Sequence, residues 1–186
     1  AAKACKSSAE YLDNIYCCII DYLGDDKFDQ FYKDRKQILS VMQAVPTEHY
    51  WNELNSLNRI NALSCLTCLT DIEQKAIFEI VAEFSYQQRK SVLSPLKRVY
   101  PSLYYYLQND EQPNCAGLST EHERYFSEYK WLKATDTLTG EFVSKVKRIS
   151  LEKGASIFQM QSRNHFVSEH YDEHTSILFV DGMGIE

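Results

Sequence analysis

The 186-residue sequence predicts a mainly α fold, a multi-helix bundle ending in one short C-terminal β-strand that belongs to a truncated α/β core. Three observations predict it. Apolar residues recur at helical spacing along most of the chain. Only 6 Gly and 4 Pro stand beside 13 Tyr and 9 Phe, too few turn formers for a sandwich or barrel of many short strands. One late run, Ile177-Leu178-Phe179-Val180, is short and continuously apolar, the pattern of a strand buried on both faces.

Taken in order, Leu12, Ile15, Tyr16, Ile19, Ile20 and Leu23 form one buried stripe and predict a first helix within residues 3–23. Gly24 stops it, and Asp25 and Asp26 can cap a second helix whose inner face is Phe28, Phe31, Tyr32, Ile38, Leu39 and Met42. Pro46 ends that segment. Thr47 can cap a third helix over 47–63, with Tyr50, Trp51, Leu54, Leu57 and Ile60 facing inward. Thr70-Asp71-Ile72-Glu73 has the form of a capping box, ahead of a helix with Ile77, Ile80, Val81 and Phe84 on its core side. Pro95 and Pro101 are expected to cut the next stretch into short pieces, because each ring removes an amide donor.

Residues 109–119, rich in Asn, Asp, Gln, Pro and Gly, read as a linker after an N-terminal helical lobe over 1–108. A second capping-box match at Thr120–Glu123 opens a helical hairpin over 120–153. Its second arm carries Leu138, Phe142, Val146 and Ile149 as one stripe, and Gly154 is expected to end it. Residues 154–186 then read as a polar linker plus the terminal strand.

Composition excludes several classes. With 26 acidic and 20 basic residues the formal charge is −6, which disfavours nucleic acid as a partner. No window of about 18 apolar residues predicts a membrane span, and the start of the chain lacks the apolar core of an export signal. Six Cys in a chain large enough to fold without staples predict reduced thiols and a cytoplasmic setting.

The C-terminal segment carries the sharpest functional signal. A buried strand needs neighbours and covering helices, yet the chain stops six residues after Val180, so truncation is expected. Asp181-Gly182-Met183-Gly184 falls at the strand's carboxyl end, where open α/β sheets place ligands, and a carboxylate beside glycines suits a metal ion or a phosphate-bearing ligand held through one. The run from Phe179 to Glu186, preceded by Glu128-Tyr129-Lys130-Trp131-Leu132-Lys133 and by Glu141-Phe142, resembles the PglZ family of bacterial phage-defence proteins. That resemblance implies a helical region ahead of an alkaline-phosphatase-superfamily core, with Asp181 ligating a catalytic divalent metal such as zinc in the complete protein. It also implies that the nucleophile and the other ligands lie beyond Glu186, so that the fragment is catalytically silent and holds no cofactor of its own. Its expected partners are other proteins of a defence complex, with self-association through the exposed strand as a further expectation. The alternative is an autonomous helical module that docks partner proteins.

Other clusters admit two readings each. His165, His170 and His174, with Glu169, Asp172 and Glu173 interleaved, supply enough donors for a transition metal, or else form a solvated polar linker. Cys65 and Cys68 have the spacing of a redox pair or half a zinc site, but flanking leucines favour core thiols. Cys17 and Cys18 read as equally inert. Tyr104 to Tyr106 with Lys97 and Arg98 could stack and bind single-stranded nucleic acid, or simply pack one helix on another. The stretch 130–153 has a local surplus of three positive charges, suited to an acidic partner or to a solvated helical face.

Overall fold

A computed structural model describes residues 5–108, 120–157, 163–170, 172 and 174. The described residues are mainly helical, with ten α-helices and no strand. The strand expected at 177–180 and the linker at 109–119 lie outside them. The chain divides into two compact units, residues 1–105 and 106–186.

In the first unit, α1 (Ser8–Cys17) begins where the Ser7 hydroxyl accepts from the Glu10 amide at 3.1 Å, while the Glu10 carboxylate accepts from the Lys6 amide at 2.6 Å. A short 3₁₀ turn (Ile20–Tyr22) comes next, and Gly24 turns the chain at φ +85°, a conformation open to a residue without a Cβ. Then come α2 (Phe28–Met42), α3 (Glu48–Ser56), α4 (Arg59–Cys65), α5 (Asp71–Ala82) and α6 (Arg89–Val99), and the unit ends within α7 (Pro101–Gln108). The closest helix pairs are α4 with α6 and α1 with α3. Tyr16, Ile19, Tyr32, Leu39, Tyr50, Leu63, Leu66, Ile77 and Leu96 are buried together as the centre of the core.

Two boundaries and one cap differ from the sequence reading. The helix expected over 47–63 is two helices, because the Asn58 side chain accepts from the Asn61 amide at 2.9 Å and starts α4 afresh. Pro95 does not divide its segment. It lies inside α6, and Ser91, four residues earlier, is exposed, so the carbonyl left without a donor can be hydrated. Glu73 completes only half of a capping box: its amide donates to Thr70 Oγ1, but its buried carboxylate accepts from Thr67 N and Oγ1 at 2.9 Å each and from Leu69 N at 3.3 Å.

The loop after α4 is pinned by buried polar groups. Tyr32 Oη donates to Leu66 O at 2.7 Å, Tyr50 Oη and Arg35 Nη1 each donate to Cys65 O at 2.8 Å, and Arg35 Nε donates to Ile15 O at 3.1 Å. A buried guanidinium at the carbonyl end of α4 answers the partial negative charge there.

The second unit contains α8 (Thr120–Ala134), α9 (Gly140–Ile157) and α10 (Arg163–His170). Tyr125 stacks on Phe142 at 5.5 Å between centroids, and Lys145 pairs with Glu128 at 2.5 Å. Asp136 takes φ +50° in the connection, and Thr139 Oγ1 accepts from Phe142 N at 3.1 Å to start α9. That helix runs through Gly154, which was expected to end it. Leu138, expected on its apolar stripe, precedes the helix and is exposed, whereas Phe142 and Ile149 are buried. No helix among the described residues is long and apolar enough to cross a membrane.

Candidate functional site

The site starts from a helical spacing. Asp13 and Cys17 stand four residues apart on α1 and therefore share a face. Thr47, the residue that starts α3, accepts from Tyr50 N at 3.2 Å and donates its own hydroxyl to Asp13 Oδ1, so the beginning of α3 is fixed against α1. That places His49, the second residue of α3, over the same face. His49 Nδ1 lies 2.8 Å from Asp13 Oδ2 and 3.6 Å from Cys17 Sγ, and Sγ lies 3.8 Å from Asp13 Oδ1. On the far side of the ring, Nε2 is 3.6 Å from Glu53 Oε1, one turn along α3.

The electrostatics arise from this proximity. Burial pulls the Asp13 carboxyl upward, but hydrogen bonds from Thr47 and His49 together with the imidazolium charge outweigh it and hold the group below its ordinary value. His49 is raised, by its hydrogen bond to Asp13 and by the charge of that carboxylate. Burial, then the Asp13 charge, pushes the Cys17 thiol up to about 12.

These values separate two chemistries. A catalytic cysteine needs a thiolate near neutral pH, with its histidine oriented by a carboxylate on the opposite nitrogen. Here Cys17 is held protonated, and Asp13 and Cys17 meet the same nitrogen, so His49 cannot be steered by one while deprotonating the other. Metal binding fits better. Thiolate, imidazole and carboxylate form an ordinary transition-metal donor set, and their ligand atoms all lie within 4.8 Å of one another. With Zn–S about 2.3 Å and Zn–N about 2.0 Å, a tetrahedral ion holds sulfur and nitrogen about 3.5 Å apart, close to the 3.6 Å between Cys17 Sγ and His49 Nδ1, whereas Nδ1 and Asp13 Oδ2, hydrogen-bonded at 2.8 Å, would have to spread to about 3.3 Å to share the ion. A metal also removes the proton that burial keeps on the thiol.

The cluster borders a cleft of about 780 Å³, within the range of small-molecule sites. Cys17, His49 and Glu53 are among its lining residues, as are the apolar Ile15, Tyr22, Phe31 and Ile38. The Tyr22 and Phe31 rings stack at 4.0 Å, and Arg35 also borders the cleft.

Residues 1–84 match a family described as a domain of unknown function (DUF7863). The candidate cluster falls wholly within the matched segment. No curated protein and no solved structure matches the chain. The resemblance to the PglZ family is overturned, since the family match is this different one and none to PglZ accompanies it. A few residues of Asp-Gly-x-Gly and a short aromatic-basic run are too common a pattern to establish kinship, and phage defence and a phosphatase-like core, which that resemblance implied, lose their support with it.

The sequence-derived candidates fare differently. Asp181 lies outside the described residues. His165 is exposed, with Nε2 3.2 Å from Glu169 Oε1 one helical turn away, and His174 N donates to Asp172 Oδ1 at 2.8 Å. His170 ends α10, and its side chain is outside the described set, as is Glu173. Cys65 and Cys68 are free thiols, each pushed up to about 11 by burial. Cys17, which the sequence reads as inert beside Cys18, lies beside Asp13 and His49. Asp13 and His49 were missed altogether. The Asp13–Cys17 spacing was a readable signal, but nothing local announces that a histidine 32 residues after Cys17 will join it.

Proposed function

We propose that the first unit is a transition-metal-binding helical domain, with Asp13, Cys17 and His49 as three protein ligands and a further coordination position open toward the adjoining cleft. The observation that carries this reading is the convergence of a thiol, an imidazole and a carboxylate from two helices onto one point. Glu53 supports it from outside: when Nδ1 binds the ion, the proton on Nε2 faces a carboxylate, the arrangement that orients metal-bound histidines. Three protein ligands with one open position are the usual form of zinc sites that act on a ligand, whereas purely structural sites are closed by four. Cys17 and His49 border the cleft, so the exchangeable position would meet a small molecule with a metal-binding head and an apolar body.

Cobalt(II) titration of the reduced, full chain tests this. One equivalent should produce visible d–d bands together with a near-ultraviolet thiolate-to-cobalt band, and zinc should displace both. C17S should lose the thiolate band, and H49A should weaken binding at least tenfold. A chain that takes up no cobalt at stoichiometric concentration, or whose thiolate band survives in C17S, overturns the proposal.

A further inference from the structure

A second concavity, away from the Asp13–Cys17–His49 cluster, lies between α2 and α6 and has a volume of about 720 Å³. Lys33 and Lys36 come to it from α2, and Lys97 and Arg98 from α6. Asp29 is the acidic residue on its wall. Four cations against one carboxylate leave a local surplus of three positive charges, in a chain whose overall balance is −6. Self-repulsion among like charges disfavours such a grouping unless something negative offsets it.

The four cations are differently committed. Arg98 Nη1 is paired with Asp29 Oδ1 at 2.6 Å, and its guanidinium lies over Phe28 and Tyr32, 4.6 and 5.1 Å from the ring centroids. This fixes it as a rigid wall. Lys97 sits 6.0 Å over the Tyr104 ring and is otherwise exposed. Lys36 is half-buried, and the contact described for its ammonium is a long one, 3.4 Å to Val99 O. Burial lowers its pKa, the mark of an ammonium that has lost water without gaining a full counter-charge. Among the described residues no carboxylate forms an ion pair with Lys33, Lys36 or Lys97. Ser94 and Gln37 add neutral hydrogen-bonding groups at the rim.

We propose that this hollow binds a small phosphate-bearing molecule, its phosphoryl oxygens held by Lys36, Lys97 and Lys33 against the wall formed by Arg98. The volume suits a small ligand, and a multiply charged anion is what three ammonium groups around one concavity, none paired with a carboxylate among the described residues, recognise. A long polyanion is the competing occupant. The hollow is open to solvent, and the chain's net negative charge opposes a phosphate backbone extending beyond it.

The test is calorimetric or NMR titration of the full chain with pyrophosphate, with inorganic phosphate and acetate as comparisons. Pyrophosphate should saturate at one equivalent, bind at least tenfold more tightly than inorganic phosphate, and weaken as salt is raised. K97M, at an exposed position that leaves the core untouched, should weaken pyrophosphate at least fivefold, and K36M at least tenfold. K75M, on the exposed face of α5, should change nothing. Absence of saturation, or equal loss in K75M, overturns the proposal. So does a single-stranded oligonucleotide that binds more tightly with each added nucleotide and loses affinity in K36M, since the occupant would then be a nucleic acid. The K97M arm does not depend on K36M folding.

Discussion

Arg35 and Tyr50 share a single acceptor: each donates to the carbonyl of Cys65 at 2.8 Å, and Arg35 Nη2 also donates to the Tyr50 hydroxyl at 3.1 Å. The guanidinium lies 5.4 Å over the Tyr50 ring and 5.7 Å over Tyr16. Three helices are thereby joined at one carbonyl, the last of α4. Burying a cation without a contacting carboxylate is costly, and it is tolerated here because carbonyls, a hydroxyl and two aromatic faces surround it.

Removing Arg35 should therefore cost more than its size suggests. R35M should lower unfolding free energy by about 3 kcal/mol, since it strips donors from Ile15 O and Cys65 O, while Y50F should cost about 1 kcal/mol because Arg35 still serves the shared carbonyl. Urea denaturation checks both values. The double variant should depart from additivity by at least 0.5 kcal/mol, roughly the lower bound for residues in one network. Strict additivity would show that the two act separately.

Glu73 should matter more than the cap it was expected to complete. Its carboxylate accepts from two backbone amides and the Thr67 hydroxyl in a fully buried position, so E73Q should cost about 2 kcal/mol. T70A removes the hydroxyl that starts α5 and should cost about 1 kcal/mol. The opposite ranking in chemical denaturation would contradict the role given to Glu73.

The His49–Asp13 pair sets a pH window for the metal-free protein. A raised imidazole contributes stability that is complete below its unfolded value of about 6.5 and fades as pH rises through the folded one. A lowered carboxyl contributes stability that is complete above about 3.9 and fades as pH falls through its folded value. The pair thus helps most between about pH 4 and 6.5. The difference in melting temperature between the wild type and H49A should be larger at pH 5.5 than at pH 8.5, and an equal difference at both would exclude an ion pair.

Metal binding should run against protons. The Cys17 thiol, at about 12, must give up its proton to any ion, so each bound cobalt or zinc should release at least one proton in weakly buffered titrations. Affinity should rise at least tenfold per pH unit through neutrality, and more steeply where the raised His49 must also shed its proton. E53Q should weaken binding roughly tenfold by disturbing the ring, while leaving the thiolate-to-cobalt band in place.

Much of the helical framework was legible because burial imposes a stripe. The Tyr16 and Ile19 positions, like Tyr32 and Leu39, are buried as their spacing predicts. What escaped depends on contacts that spacing does not encode. Asn58 restarts a helix with one side-chain oxygen, and neither Gly nor Pro announces the break. Pro95 lies within a helix, and the residue four before it, Ser91, is exposed. The donor cluster needed the packing of α1 against α3, which brings His49 to a face already carrying Asp13 and Cys17. Asp181 stands out by local motif shape alone, and the family match lies at the other end of the chain.

Thr47 has one hydroxyl and two duties: it receives the amide that opens α3 and gives its proton to Asp13. Any turning of that carboxylate to grip a cation must tug on the point where a neighbouring helix begins. Occupancy would then be written into the backbone, as slowed amide exchange over residues 48–51 that a distant observer could read without seeing the ion.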